Sequence, residues 1–181
     1  MSVQIIFCVE ANSQSKSDYI YIKSLLQYRY SFGGNQPKYK PVFMNSKSRY
    51  NQQEKIIQRL KKMHERTGPT RVVMCVDEDN GIPDSFAMNP AISAYCRKMD
   101  FDLVWFRKDI EDVFIHKEVA SKEQGKTAAS FASNKGIGNV NLSDLNHKIP
   151  LTRNMTSNLI TILDPIILQY GGKICPTQKL S

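Results

Sequence analysis

Short apolar runs recur along the chain, and between them apolar residues return every three or four positions. The runs "QIIFCVE" (4–10), "PVFMN" (41–45), "RVVMCVDED" (71–79) and "FDLVWF" (101–106) are too short for ordinary helices and mostly lack polar alternation. They predict strands covered on both faces. "DYIYIKSLLQYRY" sets Tyr19, Ile22, Leu25 and Leu26 on one helical face, with Ser17 or Asp18 as its cap. From Asn51, "NQQEKIIQRLKKMHERTG" does the same with Ile56, Ile57, Leu60 and Met63, and Gly68 with Pro69 ends it. "NPAISAYCRKM" predicts a helix with Pro90 in its first turn, and "DIEDVFIHKEVA" begins another. "NMTSNLITILDPIILQY" predicts a last helix, kinked or broken near Pro165. The stretch 31–40 reads as a turn-rich connector, 121–150 as irregular or mobile, and the tail 171–181 carries little structural signal.

Strands alternating with helices predict a mainly parallel sheet, because parallel neighbours need crossover connections. Right-handed crossovers then make a Rossmann-like three-layer α/β/α domain, expected here as a single unit over residues 1–170. Sheets of this kind carry their working crevice at the carboxyl ends of the strands. Acids stand there: Glu10 ends the first run, and Asp77 and Asp79 end the third.

Composition narrows the partners. A hydrophobic content of 41% with 23% charged residues is that of an ordinary globular protein. No apolar stretch approaches the roughly 20 residues of a membrane span. The start "VQIIFCVE" has neither the basic lead nor the cleavage site of a signal peptide. Cys8, Cys75, Cys96 and Cys175 form no CxxC pair and no zinc rhythm with the histidines, so a reducing cytoplasm is the expected location. His64, His116 and His147 are scattered and read as helix-face or loop residues. A net charge of +8 favours a polyanionic partner, with nucleic acid foremost.

Three carboxylates at neighbouring strand ends repel one another unless a cation lies among them. Mg²⁺ (or Mn²⁺) suits such oxygen donors, and beside a phosphodiester it supports hydrolysis or transfer. In an extended chain, residues i and i+2 point to the same side, so Asp77 and Asp79 can face one ion. The competing reading makes "DEDNG" a polar turn and helix cap. Other motifs fail: "DEDNG" lacks the spacing of a calcium loop, Gly125–Thr127 lacks the earlier glycine of a P-loop, and no nucleophile elbow is present.

"IIFCVE" followed by "VVMCVDED" resembles the Toprim signature of topoisomerases, bacterial primases and overcoming-lysogenization-defect nucleases, and the chain is most similar to their RloB-like branch. "LVWFRKDIEDVF" and "NMTSNLITIL" sit where that branch has two later helix starts. Departures are plain: Val-Glu-Ala-Asn replaces Glu-Gly-Glu, Lys108-Asp109 replaces Asn-Pro, Val113 replaces Trp, and Met155 replaces Pro. The resemblance implies a Toprim-like Mg²⁺-dependent nuclease of a bacterial defence or mobile-element system, acting on DNA or RNA, with an ATPase protein as a further partner. It implies Glu10 as metal ligand or general acid/base, Asp77 and Asp79 as metal ligands, and Glu111 as a further catalytic acid.

Lys55, Arg59 and Lys62, with Lys61 and Arg66, lie on the second helix, where they read as a solvated face or as holders of a phosphate backbone. Lys16 and Lys126 are candidates for the same task from loops. Trp105 and Phe106 read as core. Two other readings stay open: a non-catalytic interaction module of the same fold in a nucleic-acid-associated complex, and a phosphoryl-transfer enzyme for small molecules.

Overall fold

Complete burial picks out the central strand. In the computed structural model, which describes residues 2–34 and 36–176, β1 (Gln4–Val9) is buried at every position. The chain continues through α1 (Ser17–Arg29), β2 (Tyr30–Phe32), β3 (Lys38–Phe43), α2 (Glu54–His64) and β4 (Thr70–Asp77). Then come α3 (Pro83–Phe86), α4 (Asn89–Met99), β5 (Asp102–Phe106), α5 (Ile110–Ile115), α6 (Gln124–Ser133), α7 (Leu159–Gln169) and β6 (Gly172–Ile174).

Four strands form one parallel sheet in the order β3-β1-β4-β5. The chain steps from β1 to β3, then back across β1 to β4. The carboxyl ends of β1, β3 and β4 therefore surround the point where the strand order reverses. Strand alternation divides the core into two layers. Ile5, Phe7, Val73, Cys75, Val104 and Phe106 pack with α1, α5, α6 and α7 on one face. Ile6, Cys8, Val72, Met74 and Trp105 pack with Ile57 of α2 and Ile92 of α4 on the other. This is the three-layer α/β arrangement expected from the periodicities.

Several local expectations are corrected. Residues 121–150 are not wholly irregular. α6 lies within them and buries Ala128 and Phe131 against Tyr21 of α1, because two well-placed apolar residues suffice in a short helix covered by neighbours. The tail also contributes structure: β6 pairs antiparallel with β2, which spans the end of the expected first helix and the start of the expected connector. β3 starts at Lys38, and its parallel pairing with β1 recruits residues whose own pattern is polar. α2 buries Ile57, while Ile56 and Met63 are 50% and 70% exposed.

α7 runs through Pro165 without a break but starts at Leu159, not Asn154. The stretch before it serves the free edge of β5. Arg107 N–H donates to Thr156 O at 2.9 Å, and Phe106 bridges Ser157 in antiparallel fashion. The buried Asn158 side chain accepts from Trp105 N–H at 2.8 Å and donates to Leu103 O at 2.9 Å. Its amide thus stands in for a neighbouring strand. Arg29 of α1 holds Asp164 of α7 through two hydrogen bonds of 2.9 and 2.7 Å, and Tyr30 donates to the same carboxylate at 2.7 Å. Among the described residues no helix is long and apolar enough to cross a membrane.

Candidate functional site

β1 stops at Val9, and Glu10 bends out of it towards the adjacent end of β4. Its Oε1 accepts the backbone N–H of Asp77 at 2.8 Å. The first-run glutamate and the third-run aspartate therefore meet. Asp77 is the last residue of β4 and continues the series Val73, Cys75 on the α1 side of the sheet.

The loop after Glu10 is shaped by local polar bonds. Asn12 Oδ1 accepts the N–H groups of Gln14 and Ser15 at 2.9 and 2.8 Å. Asp18, in the first turn of α1, accepts Ala11 N–H on Oδ2 at 2.8 Å and the Ser17 hydroxyl on Oδ1 at 2.9 Å. This folds the loop back over the strand end. A crevice of about 310 Å³ results, lined by Glu10, Asp18 and Asp77 together with Asn12, Asn45 and Gln124. Sequence reading treated Asp18 only as a cap. Its place in the first turn after an acid-ended strand is the signal that could have drawn it into the site.

The electrostatics follow from crowding. Burial, followed by the Asp18 and Asp79 charges, pushes the Glu10 carboxyl up to about 8, against the opposing pull of the Asp77 N–H and the Lys47 ammonium. Asp77 is raised well above the usual carboxylate range by burial and then by Glu10, Asp18, Asp79 and Glu111. Burial also raises Asp18, against its two hydrogen bonds. Each of these groups gains by holding a proton or by facing a cation.

Asp79 has a different role from the one its spacing suggests. β4 ends at Asp77, and Asp79 takes a left-handed backbone with φ of 51°. Its N–H donates to Lys108 O at 3.2 Å, and its carbonyl accepts Ile82 N–H at 2.8 Å. The extended-chain argument that would aim both aspartates at one ion therefore fails. Asp79 Oδ2 instead takes the Lys47 ammonium at 3.2 Å and the Ser85 hydroxyl at 2.5 Å. The two readings of "DEDNG" are split between its aspartates: Asp77 faces the crevice, and Asp79 builds the turn.

Glu111, on α5, is 1% exposed, and its Oε1 has no hydrogen-bond partner. Burial, then the Asp18 charge, pushes it up to about 7. It does not line the crevice. Trp105 and Phe106 are buried core residues as expected, 6% and 1% exposed. His64 is buried, with Nε2 2.8 Å from Ser2 O.

The basic candidates are dispersed. Lys16 is exposed at the left-handed residue preceding α1, beside the crevice loop. Lys55, Arg59 and Lys62 are exposed on α2, and none has an ion-pair partner among the described residues. Lys62 lines a hollow with Lys61, Arg66 and Thr70 at the start of β4. Thr70 and Asp77 are the two ends of β4, about 23 Å apart along the strand. Lys126 stands not on a loop but on α6, and lines a third hollow with Ile115 and Phe131.

The donors suit a sparsely held Mg²⁺. Such an ion keeps several waters and needs only one or two carboxylates plus substrate phosphate. Among the described residues nothing donates to the Asp77 carboxylate, and the Glu10 carboxylate is engaged through Oε1 alone. Among the described residues no group of three His, Cys, Asp or Glu side chains stands in metal-holding geometry. The fit is thus to a two-carboxylate ion on Glu10 and Asp77, not to the three-ligand set that includes Asp79. Compared with known families, characterised proteins and solved structures, the chain gives no match.

Proposed function

We propose that the chain is a divalent-cation-dependent enzyme that cleaves or transfers phosphodiesters of nucleic acid, with Glu10 and Asp77 holding the ion. The single observation that carries this reading is the meeting of Glu10 and Asp77 at the carboxyl edge of a parallel sheet, in a crevice that also contains Asp18. The Toprim resemblance of "IIFCVE" and "VVMCVDED" and the net charge of +8 support it further. The four cysteines are free, three of them buried, which supports a reducing compartment such as the cytoplasm.

Each residue's task follows from its bonds. Glu10 is oriented by the Asp77 N–H on Oε1, leaving Oε2 for the ion or for a proton. Asp77 presents an unengaged carboxylate to the crevice. Asp18 is committed to Ala11 and Ser17, so it holds the loop in place and adds negative charge. When bound, the ion offsets charge on the phosphate and makes a bound water more acidic. Without it, a proton on these carboxyls relieves the repulsion, so metal uptake releases protons.

The test is Mg²⁺- or Mn²⁺-dependent cleavage of single- and double-stranded DNA and RNA by wild type, Glu10→Gln and Asp77→Asn. The expected result is cleavage that disappears on chelation and falls at least about 100-fold in Asp77→Asn. Unchanged cleavage in that variant sinks the proposed site. The second reading, a non-catalytic interaction module, draws on the engagement of Asp79 by Lys47 and Ser85. It predicts stable nucleic-acid or protein binding with no metal uptake in calorimetry.

A further inference from the structure

The turn that follows β3 brings a cation to the acidic edge. Lys47 begins the turn Lys47–Arg49, whose preceding residue Ser46 accepts Ser48 N–H with its side chain. From there the Lys47 side chain runs beneath the β4–α3 connection and is 4% exposed. Its ammonium lies 3.2 Å from Asp79 Oδ2, 3.3 Å from Glu78 O and 5.8 Å from the centroid of the Trp105 ring. A buried ammonium needs a counter-charge, and Asp79 is its only carboxylate partner among the described residues. Asp79 needs neutralising in turn, and Lys47 together with the Ser85 hydroxyl supplies this.

We infer that Lys47 is the resident cation of this edge: it neutralises Asp79, so the chain takes one divalent ion, on Glu10 and Asp77, and not a pair shared with Asp79. The inference rests on the proposed ion in the crevice. Its physical basis is charge: a divalent ion on Asp79 would lie within a few ångströms of the buried Lys47 ammonium. Lys47 is thus a positioning residue. It locks Asp79 into the turn, and through Ser85 it ties down the start of α3. Ser46 and Asn45, the residues just before it, line the crevice itself, so the same turn serves both halves of the edge.

Mn²⁺ titration of the full chain, followed by calorimetry and electron paramagnetic resonance, tests this without any substrate. Wild type should take one equivalent. Asp79→Asn should keep that equivalent with affinity changed by no more than about threefold, whereas Asp77→Asn should weaken it by about tenfold or more. Lys47→Met should free Asp79 and add a second, weaker equivalent, and Lys47→Arg should restore the count to one. Two equivalents in wild type overturn the inference, as does a loss in Asp79→Asn as severe as in Asp77→Asn. A single equivalent in a folded Lys47→Met chain overturns the role of Lys47; if that variant does not fold, the Asp79→Asn comparison still decides. No Mn²⁺ uptake by wild type removes the crevice reading and this inference together, an outcome separate from the others.

Discussion

Glu10 carries the clearest pH signature of any residue here. Its carboxyl rises from an ordinary value of 4.5 to about 8 on folding, chiefly through burial. Between those values the folded chain holds a proton that the unfolded chain has released. Stability from this group is therefore full below about 4.5 and is lost as the pH rises towards about 8. Asp77, Asp18 and Glu111 are raised as well and add to the same slope. Thermal unfolding in chelator should accordingly show a midpoint that falls across this window, with a shallower fall in Glu10→Gln. A variant that tracks wild type over the whole range would contradict the burial of Glu10. Added Mg²⁺ should restore wild type at the alkaline end and do little for Glu10→Gln. At this scale the sequence was partly legible. Glu10 and Asp77 stood out because each closes an apolar run. Asp79 misled, because its side depends on a left-handed backbone that no spacing rule reveals.

Among the elements, β5 shows how an edge strand is finished by side chains. Asn158 bonds both Trp105 N–H and Leu103 O, so its loss strands a donor and an acceptor on a buried edge. Asn158→Leu should cost about 2–4 kcal/mol, measured by urea unfolding. A loss within error of zero would mean that water or a shifted segment replaces the amide. Gly136 carries a packing constraint of another kind. An added Cβ there would come 2.5 Å from Cδ2 of Phe131, the ring that seats α6 against α1. Neither feature was visible in the periodicity. "NMTSN" read as the start of a helix because its polar residues look like caps, whereas the chain uses them to pair with β5. α6 was missed because its burial of Ala128 and Phe131 comes from neighbours distant in sequence and not from a strong stripe of its own.

Across the whole molecule, the basic face of α2 and the acidic crevice are kept apart. Lys55, Arg59 and Lys62 stand exposed along α2, and the hollow at its far end lies at the opposite end of β4 from Asp77. If this face carries nucleic-acid backbone, replacing the three by Gln should lower the slope of log affinity against log salt by about 0.7–0.9 for each phosphate no longer neutralised. Fluorescence titrations at several salt concentrations would check it, and an unchanged slope would exclude α2 from the interface. The sequence by itself determined the layering: apolar runs too short for ordinary helices form strands, and the amphipathic stretches between them cover the resulting sheet. It also placed Glu10 and Asp77 at strand ends, since each is the first acid after a buried run. Only the tertiary structure decided which charges meet. Asp18 enters the crevice because the loop folds back onto Ala11, and Asp79 leaves it because Lys47, 32 positions earlier, reaches it across the sheet edge. Burial is written into local composition, but the pairing of charges depends on backbone turns and long-range neighbours that no short window contains.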